Sequence, residues 1–160
     1  MVIDDSDSML RLFRTCLTAF GIPSVRMFNS GLEAMSAMRD LPPDLVLVDW
    51  RMGPLNGIEL LRKMRRIDSP ETCHIAVIMV TGHGSEPFVR EAMLAGAQQF
   101  LVKPVSPRTL FDRISWVTED ERIMVQKGRR VAIEGVEERL SWRRSAIPPP
   151  PVRTEEYLEL

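Results

Sequence analysis

The sequence predicts an α/β protein built on a mainly parallel sheet of five strands. Up to about Val117, short apolar runs of strand length alternate with amphipathic stretches of helical spacing, a pattern typical of consecutive βα units. Beyond Val117 the sequence becomes strongly charged, and only a thin apolar stripe remains. We therefore divide the chain into an α/β domain over residues 1–117, a helical extension over residues 118–147 and a loose proline-rich tail over residues 148–160.

Short apolar runs are the predicted strands. The first ends at Ile3, and the other four cover residues 24–28, 44–49, 75–80 and 100–102. Amphipathic segments follow each of them. The predicted helices cover residues 8–20, residues 30–41 before the Pro42-Pro43 break, the stretch from Ile58 to Arg65, residues 86–94, and residues 106–117.

Start and stop signals support these helices. Gly21 and Gly96 stand where the first and fourth helices should end. Ser30 with Glu33 forms a capping-box pattern for the second helix, and Ser106-Pro107 supplies an N-cap and a first helical residue for the fifth.

The segment after Val117 has weaker signals. Thr118 and Glu121 form another capping-box pattern, so either the fifth helix continues or a new one starts there. Residues 129–145 are a charged helical candidate, and residues 148–151 are four prolines, which favour an extended polyproline II segment. Acids and bases nearly balance in this segment, so we do not expect it to bind nucleic acid.

Composition excludes several classes of protein. With 160 residues, 44% of them hydrophobic and 27% charged, the chain fits one soluble globular domain and some excess. The net charge of −1 gives no field that would attract nucleic acid or a membrane surface, and no apolar run is long enough to span a bilayer. The start lacks the features of a signal peptide, and we interpret Cys16 and Cys73 as buried thiols in a reducing cytoplasm.

Chemically useful side chains follow four of the five predicted strands. Asp4 and Asp5 follow the first, Asp49 ends the third, Thr81 follows the fourth, and Lys103 follows the fifth. The carboxyl ends of parallel strands meet at one edge, where ligands bind. Three neighbouring carboxylates would repel one another unless a cation such as Mg²⁺ intervened. A nucleophilic aspartate, a hydroxyl and an ammonium beside that cation suit phosphoryl transfer.

Four motifs, in order, resemble the signature of bacterial two-component response regulator receiver domains. They are Ile3-Asp4-Asp5-Ser6, Leu47-Val48-Asp49-Trp50-Arg51-Met52, Val80-Thr81-Gly82 and Val102-Lys103-Pro104, with Gly57 at the position of that family's glycine after the phosphorylation site. The resemblance covers residues 1 to about 117. It implies a flavodoxin-like fold with a doubly wound sheet in the order 2-1-3-4-5. It also implies that a histidine kinase or histidine phosphotransferase phosphorylates the domain.

The resemblance also implies a role for each matching residue. Asp49 would be the phosphoacceptor and Lys103 the cation that binds the phosphoryl group, with Thr81 and Phe100 as the switch pair. Mg²⁺ would be held by Asp5, Asp49 and the backbone oxygen of Arg51, with Asp4 acting through water. Leu10 lies off the apolar stripe of the first helix, on the face that docks the phosphodonor in this family, so it is a hypothesised partner contact.

Three features depart from the family pattern. Only three residues precede Asp4, and the loop reads Met52-Gly53-Pro54 where the family usually has Met-Pro directly. The switch aromatic, Phe100, has no hydroxyl group. His83 stands, like Arg51, where the family tunes dephosphorylation, although a solvated loop histidine is an equal alternative.

Other functions are open at this point. A phosphatase of the haloacid dehalogenase type needs a second aspartate two residues after Asp49, and Arg51 in that position argues against it. A DNA-binding regulator would need a helix-turn-helix pair, which we do not find after Val117. A scaffold that works without phosphorylation is not excluded by the sequence.

We expect a receiver that is not an enzyme in the ordinary sense, although it catalyses its own phosphotransfer and dephosphorylation. Phosphorylation would change the face formed by the fourth helix, fifth strand and fifth helix, near Phe88, Met93 and Phe100. A downstream protein would bind there. The extension would pack across that face or pair with a second copy in a homodimer.

Overall fold

A five-stranded parallel sheet with helices on both faces forms the body of the molecule. The structure, a computed structural model, describes residues 1–142. The sheet has the strand order β2-β1-β3-β4-β5, and β6 and β7 form a separate antiparallel hairpin. The strands are β1 (Val2–Ile3), β2 (Met27–Phe28), β3 (Leu45–Asp49), β4 (Ala76–Thr81), β5 (Gln99–Val102), β6 (Met124–Lys127) and β7 (Arg130–Ile133). The predicted flavodoxin-like fold is confirmed.

Helices follow each strand of the sheet, as the alternating pattern predicts. They are α1 (Asp7–Ala19), α2 (Gly31–Asp40), α3 (Gly57–Met64), α4 (Glu86–Ala95), α5 (Pro107–Thr118) and a short α6 (Val136–Trp142) after the hairpin. None of the helices within residues 1–142 has both the length and the apolar character needed to cross a bilayer.

Two apolar clusters, one on each face, hold the sheet between its helices. Successive residues of β3 point to opposite faces, so Val46 and Val48 join one cluster while Leu47 joins the other. This arrangement explains why β3 reads as an unbroken apolar run. The first cluster includes Ile3, Leu60, Leu61, Met64, Val77 and Met79, and the second includes Val2, Phe13, Leu17, Ile78, Val80, Leu101 and Leu110.

Local signals set the helix ends. The side chain of Ser30 accepts a hydrogen bond from the backbone of Glu33, and Ser106 caps α5 in the same way. Gly96 ends α4 in the left-handed conformation with φ of 101°. Asn56 and Glu59 form a full capping box at the start of α3, which the sequence interpretation had not identified.

The extension is not purely helical, and the predicted helix over residues 129–145 is wrong for its first part. Helix α5 ends at Thr118, whose hydroxyl donates to the carbonyl of Ser115 instead of capping a new helix. Strands β6 and β7 follow, joined by a two-residue turn that starts at Gly128 with φ of 62°. The apolar run from Val131 to Ile133 is buried, and this burial favours a strand over a charged surface helix.

The hairpin packs against the far ends of α3 and α4, away from the carboxyl edge of the sheet. The Val131 amide donates to the carbonyl of Arg65 at 2.7 Å, and Arg130 Nη1 donates to the carbonyl of Leu94 at 2.7 Å. Arg65 is itself fully buried and donates to Gly96. Residues 143–147 of the predicted helical extension, the proline segment and the tail over residues 148–160 lie outside the described residues.

Candidate functional site

Parallel pairing brings the predicted site residues to one edge of the sheet. In the register, Ile3 pairs with Val48, and Thr81 pairs with Val102. Consequently Asp4, which follows β1, lies beside the end of β3, where Asp49 stands. Lys103, which follows β5, lies beside the end of β4. The topology therefore gathers residues of the four motifs that the sequence singles out.

Carboxylates form the centre of this site. Oxygen atoms of Asp4, Asp5 and Asp49 lie within 4.8 Å of one another. Asp4 and Asp49 are buried, whereas Asp5 is exposed. Backbone amides orient the two buried groups, since Ser6 donates to Asp4 Oδ1 at 2.9 Å and Arg51 donates to Asp49 Oδ2 at 2.8 Å. The Arg51 amide thus fixes Oδ2 of Asp49, and Oδ1 is the oxygen that contacts Lys103.

Lys103 bridges the two buried carboxylates. Its Nζ lies 2.6 Å from Asp49 Oδ1 and 3.1 Å from Asp4 Oδ2. Burial alone would lower the pKa of Lys103, but its hydrogen bonds to Asp49 and Asp4 and their charges outweigh burial and raise that pKa. The ammonium therefore remains charged and is held beside the candidate phosphoacceptor.

Burial raises the pKa of Asp49 above its ordinary value. The charge of Asp4 acts in the same direction, while the hydrogen bond and charge of Lys103 and the Arg51 amide partly oppose them. Lys103 and the Arg51 amide therefore stabilise the ionised carboxylate of Asp49 only in part. Hard oxygen donors so closely grouped fit Mg²⁺, which prefers carboxylate and water ligands, so Asp5 and Asp49 could hold it with Asp4 nearby.

Thr81 is buried, and its hydroxyl is engaged with the following loop. The hydroxyl donates to the carbonyl of His83 at 3.2 Å and accepts from the His83 amide at 3.0 Å. Phe100, the other residue of the predicted switch pair, is half-buried and packs against the first core cluster. Phe100 pairs in the sheet with Met79, which lies on β4 two residues before Thr81.

A group of aromatic and basic side chains at the mouth of the site was not predicted as a unit. Trp50 and Phe88 meet edge to face with ring centroids 5.4 Å apart, and His83 lies 5.2 Å from Phe88. The guanidinium of Arg51 lies 3.3 Å from His83 Nε2. His83 is therefore not isolated in its loop. Within the described residues, these contacts link the loops after β3 and β4 to the start of α4.

Leu10 lies on α1 and is half-buried. It packs against the second core cluster, so part of its side chain already has a structural role. The remaining exposed part stays a hypothesised contact for a phosphodonor.

Comparison with known proteins matches the chain to one family. The family model of the response regulator receiver domain matches residues 1–115. A chemotaxis protein CheY homolog of Campylobacter jejuni is 32% identical over 115 residues, covering 71% of this chain and 87% of that protein. The alginate biosynthesis transcriptional regulatory protein AlgB of Pseudomonas syringae is 35% identical over 136 residues, covering 84% of this chain and 28% of that protein. The structure of Vibrio cholerae chemotaxis protein CheY4 matches with a TM-score of 0.67 and 26% identity, over 72% of this chain and 94% of that one.

Proposed function

The chain belongs to the response regulator receiver family, and we propose that it accepts a phosphoryl group on Asp49 from a histidine kinase or histidine phosphotransferase. The observation that carries this proposal is the Lys103 ammonium, 2.6 Å from Asp49 Oδ1, inside a cluster of three carboxylates. A structural ion pair needs only one carboxylate. A divalent cation held beside the phosphoryl group would explain the additional acids.

The chemistry is an in-line displacement at phosphorus. A carboxylate oxygen of Asp49 forms the new O–P bond, the P–N bond to the donor imidazole breaks, and that imidazole takes up a proton. Lys103, whose Nζ lies 2.6 Å from Asp49 Oδ1, would shift from the carboxylate to the phosphoryl oxygens and balance their negative charge. The hydroxyl of Thr81 can rotate from His83 to donate to the same group.

Mg²⁺ is the cation that we propose for this site. Asp5, Asp49 and the backbone oxygen of Arg51 would hold it, with Asp4 contributing through water. When bound, it supplies positive charge that orients the donor and offsets the charge of the transferring group.

A downstream protein is the proposed reader of the phosphorylated state. Its binding surface would be formed by α4, β5 and α5, near Phe88, Met93 and Phe100. We place this signalling in the cytoplasm, in keeping with two buried cysteines that form no disulfide. A homodimer through the extension stays a prediction.

A second candidate is the receiver part of a DNA-binding transcriptional regulator. It is favoured by the match to AlgB, which runs over 136 residues and so reaches beyond the receiver. Gel-shift binding to DNA at moderate salt would support this candidate. A scaffold that works without phosphorylation would instead take up no phosphoryl group.

Transfer from a phosphorylated histidine phosphotransferase tests the proposal and the role of Leu10 together. We expect transfer to the wild-type chain with Mg²⁺ and none to an Asp49→Ala variant. Leu10→Ala should slow this transfer while labelling by acetyl phosphate stays unchanged, because the small donor needs no docking surface. Leu12→Ala, on the same helix and also half-buried, is the matched control. Equal losses with both donors would contradict the docking role.

A further inference from the structure

A groove between α3, α4 and the hairpin lies outside the candidate phosphorylation site. It has a volume of about 480 Å³, and arginines from three elements line it. They are Arg62 and Arg65 at the end of α3, Arg90 of α4 and Arg130 of β7. Among the described residues, the only acidic side chain in its lining is that of Glu91. This arginine groove therefore holds a surplus of positive charge in a small volume.

Helical spacing forms one wall of the arginine groove. Residues at intervals of three and four along α4 share a face, and they include Pro87, Arg90, Glu91 and Leu94. This stripe is about 10 Å long, at 1.5 Å per helical residue. The positive groups are thus spread along a groove and not gathered at one point.

Two of the four arginines have structural partners that explain their positions. Arg65 Nη2 donates to the carbonyl of Gly96 at 2.8 Å, and Arg130 Nη1 donates to the carbonyl of Leu94 at 2.7 Å. These donors satisfy carbonyls that a helix leaves unpaired at its C-terminal end. Arg65 is fully buried and contacts no carboxylate within residues 1–142. Burial lowers the pKa of Arg65 to about 10, so this side chain still adds a fixed positive charge to the wall at neutral pH.

The other two arginines keep hydrogen-bond donors in reserve. Arg62 Nη2 contacts Glu91 Oε1 at 2.8 Å, and Arg90 Nη1 donates to the carbonyl of Leu140 at 2.7 Å. The remaining N–H groups of these two guanidiniums have no protein partner in the described part of the chain. The side chains of Arg62 and Glu91 are 57% and 42% exposed, and exposed ion pairs contribute little to stability. An anion can therefore replace Glu91 beside Arg62 at small cost.

We propose that the arginine groove binds a small organic ligand that carries two or more phosphate groups, as a nucleoside diphosphate does. Guanidinium groups bind phosphate oxygens through paired hydrogen bonds, and their spread along α4 suits two phosphates better than one. The volume lies in the range of small-molecule sites, roughly 300–1,000 Å³. The exposed ring of Pro87 and the half-buried Leu94 offer apolar surface to the uncharged part of the ligand. This inference goes beyond the proposed function and does not rest on it.

Isothermal titration calorimetry of the full chain tests the site, at low salt and without divalent cations. We expect pyrophosphate to bind, ADP to bind more tightly because its nucleoside adds apolar contacts, and adenosine not to bind measurably. Arg62→Ala and Arg90→Ala should each weaken ADP binding by about tenfold or more, the size expected for a charge-assisted hydrogen bond. Arg108→Ala is the matched control, because it removes an exposed arginine from α5, and its affinity should equal that of the wild type.

A second variant separates the arginine groove from the phosphorylation site. Lys103→Ala removes the ammonium beside Asp49 and should keep its affinity for ADP. Loss of binding in that variant would place the ligand at the carboxyl edge of the sheet and overturn the groove as its site.

Other results would also overturn the proposal. They are a wild-type chain that binds neither ADP nor pyrophosphate, and equal losses in Arg62→Ala, Arg90→Ala and Arg108→Ala, which would indicate attraction without a site. Equal affinities for ADP and pyrophosphate would contradict the organic part of the ligand. Uptake of a phosphoryl group by Asp49 is measured separately, so each of these results leaves the proposed function intact.

Discussion

Gly57 lies against the backbone of the candidate phosphoacceptor, and replacing it with alanine should disturb both stability and phosphorylation. Gly57 is the first residue of α3, and its amide donates to the carbonyl of Trp50 at 3.0 Å. A Cβ added there would lie 2.1 Å from the carbonyl oxygen of Asp49 and 3.2 Å from Met79 Sδ. The first contact is with backbone, so no side-chain rotation can relieve it.

Two effects of Gly57→Ala oppose each other. Alanine restricts the unfolded chain and would stabilise the protein by roughly 0.4–1 kcal/mol at a position that accepts it. Overpacking in a well-packed core typically costs about 1–3 kcal/mol. The short contact with Asp49 indicates the upper end of that range. We therefore expect a net loss of about 2 kcal/mol, together with a displaced phosphoacceptor.

Urea unfolding and the rate of labelling by acetyl phosphate measure these two effects. Gly82→Ala is the matched control, because the same added Cβ beside Thr81 would meet no atom within 4 Å. We expect Gly57→Ala to unfold at lower urea and to label more slowly, while Gly82→Ala keeps both properties. Equal behaviour of the two variants would refute the reasoning from steric contact.

Three further substitutions test the charges of the structure. Lys103→Ala should lower the free energy of unfolding of the metal-free protein, measured in urea, by about 1–3 kcal/mol. This loss is smaller than the loss expected for a fully buried ion pair, because the lysine side chain is 27% exposed. Mg²⁺ should restore part of the lost stability. Asp49→Asn should stabilise the metal-free protein at neutral pH, because a raised folded-state pKa means that the ionised carboxylate opposes folding. That gain should vanish as the pH falls through the pKa of Asp49, where the wild-type carboxyl is protonated. Arg65→Ala should cost about 3 kcal/mol in urea, since it leaves the buried Gly96 carbonyl unpaired and opens a cavity.

The sheet and the site were predictable from sequence because their signals are local. Each strand is a short apolar run, and parallel topology places the residues that follow those runs at one edge. The sequence therefore predicts that four side chains meet at this edge: Asp4, Asp49, Thr81 and Lys103. The hydrogen-bond partner of each side chain could not be predicted; for example, the hydroxyl of Thr81 donates to the carbonyl of His83.

The hairpin was missed because its burial comes from distant contacts. Val131 is buried in β7, and its amide donates to the Arg65 carbonyl at the end of α3, far away in the sequence. Residues 129–145 are strongly charged with a thin apolar stripe, a pattern that by itself predicts a surface helix and gives no sign of a hairpin turn at Gly128. Arg65 is a similar case, because its acceptors are backbone carbonyls and a Gln98 side chain from other segments.

The central claim is that Asp49 accepts a phosphoryl group with the help of a divalent cation. Intact-mass analysis after incubation with acetyl phosphate tests it most directly, on the wild-type chain with and without Mg²⁺ and on Asp49→Ala. We predict a gain of one phosphoryl group that requires Mg²⁺ and is absent from the variant. A folded wild-type chain that binds Mg²⁺ but gains no mass would contradict the claim and favour a scaffold that works without phosphorylation.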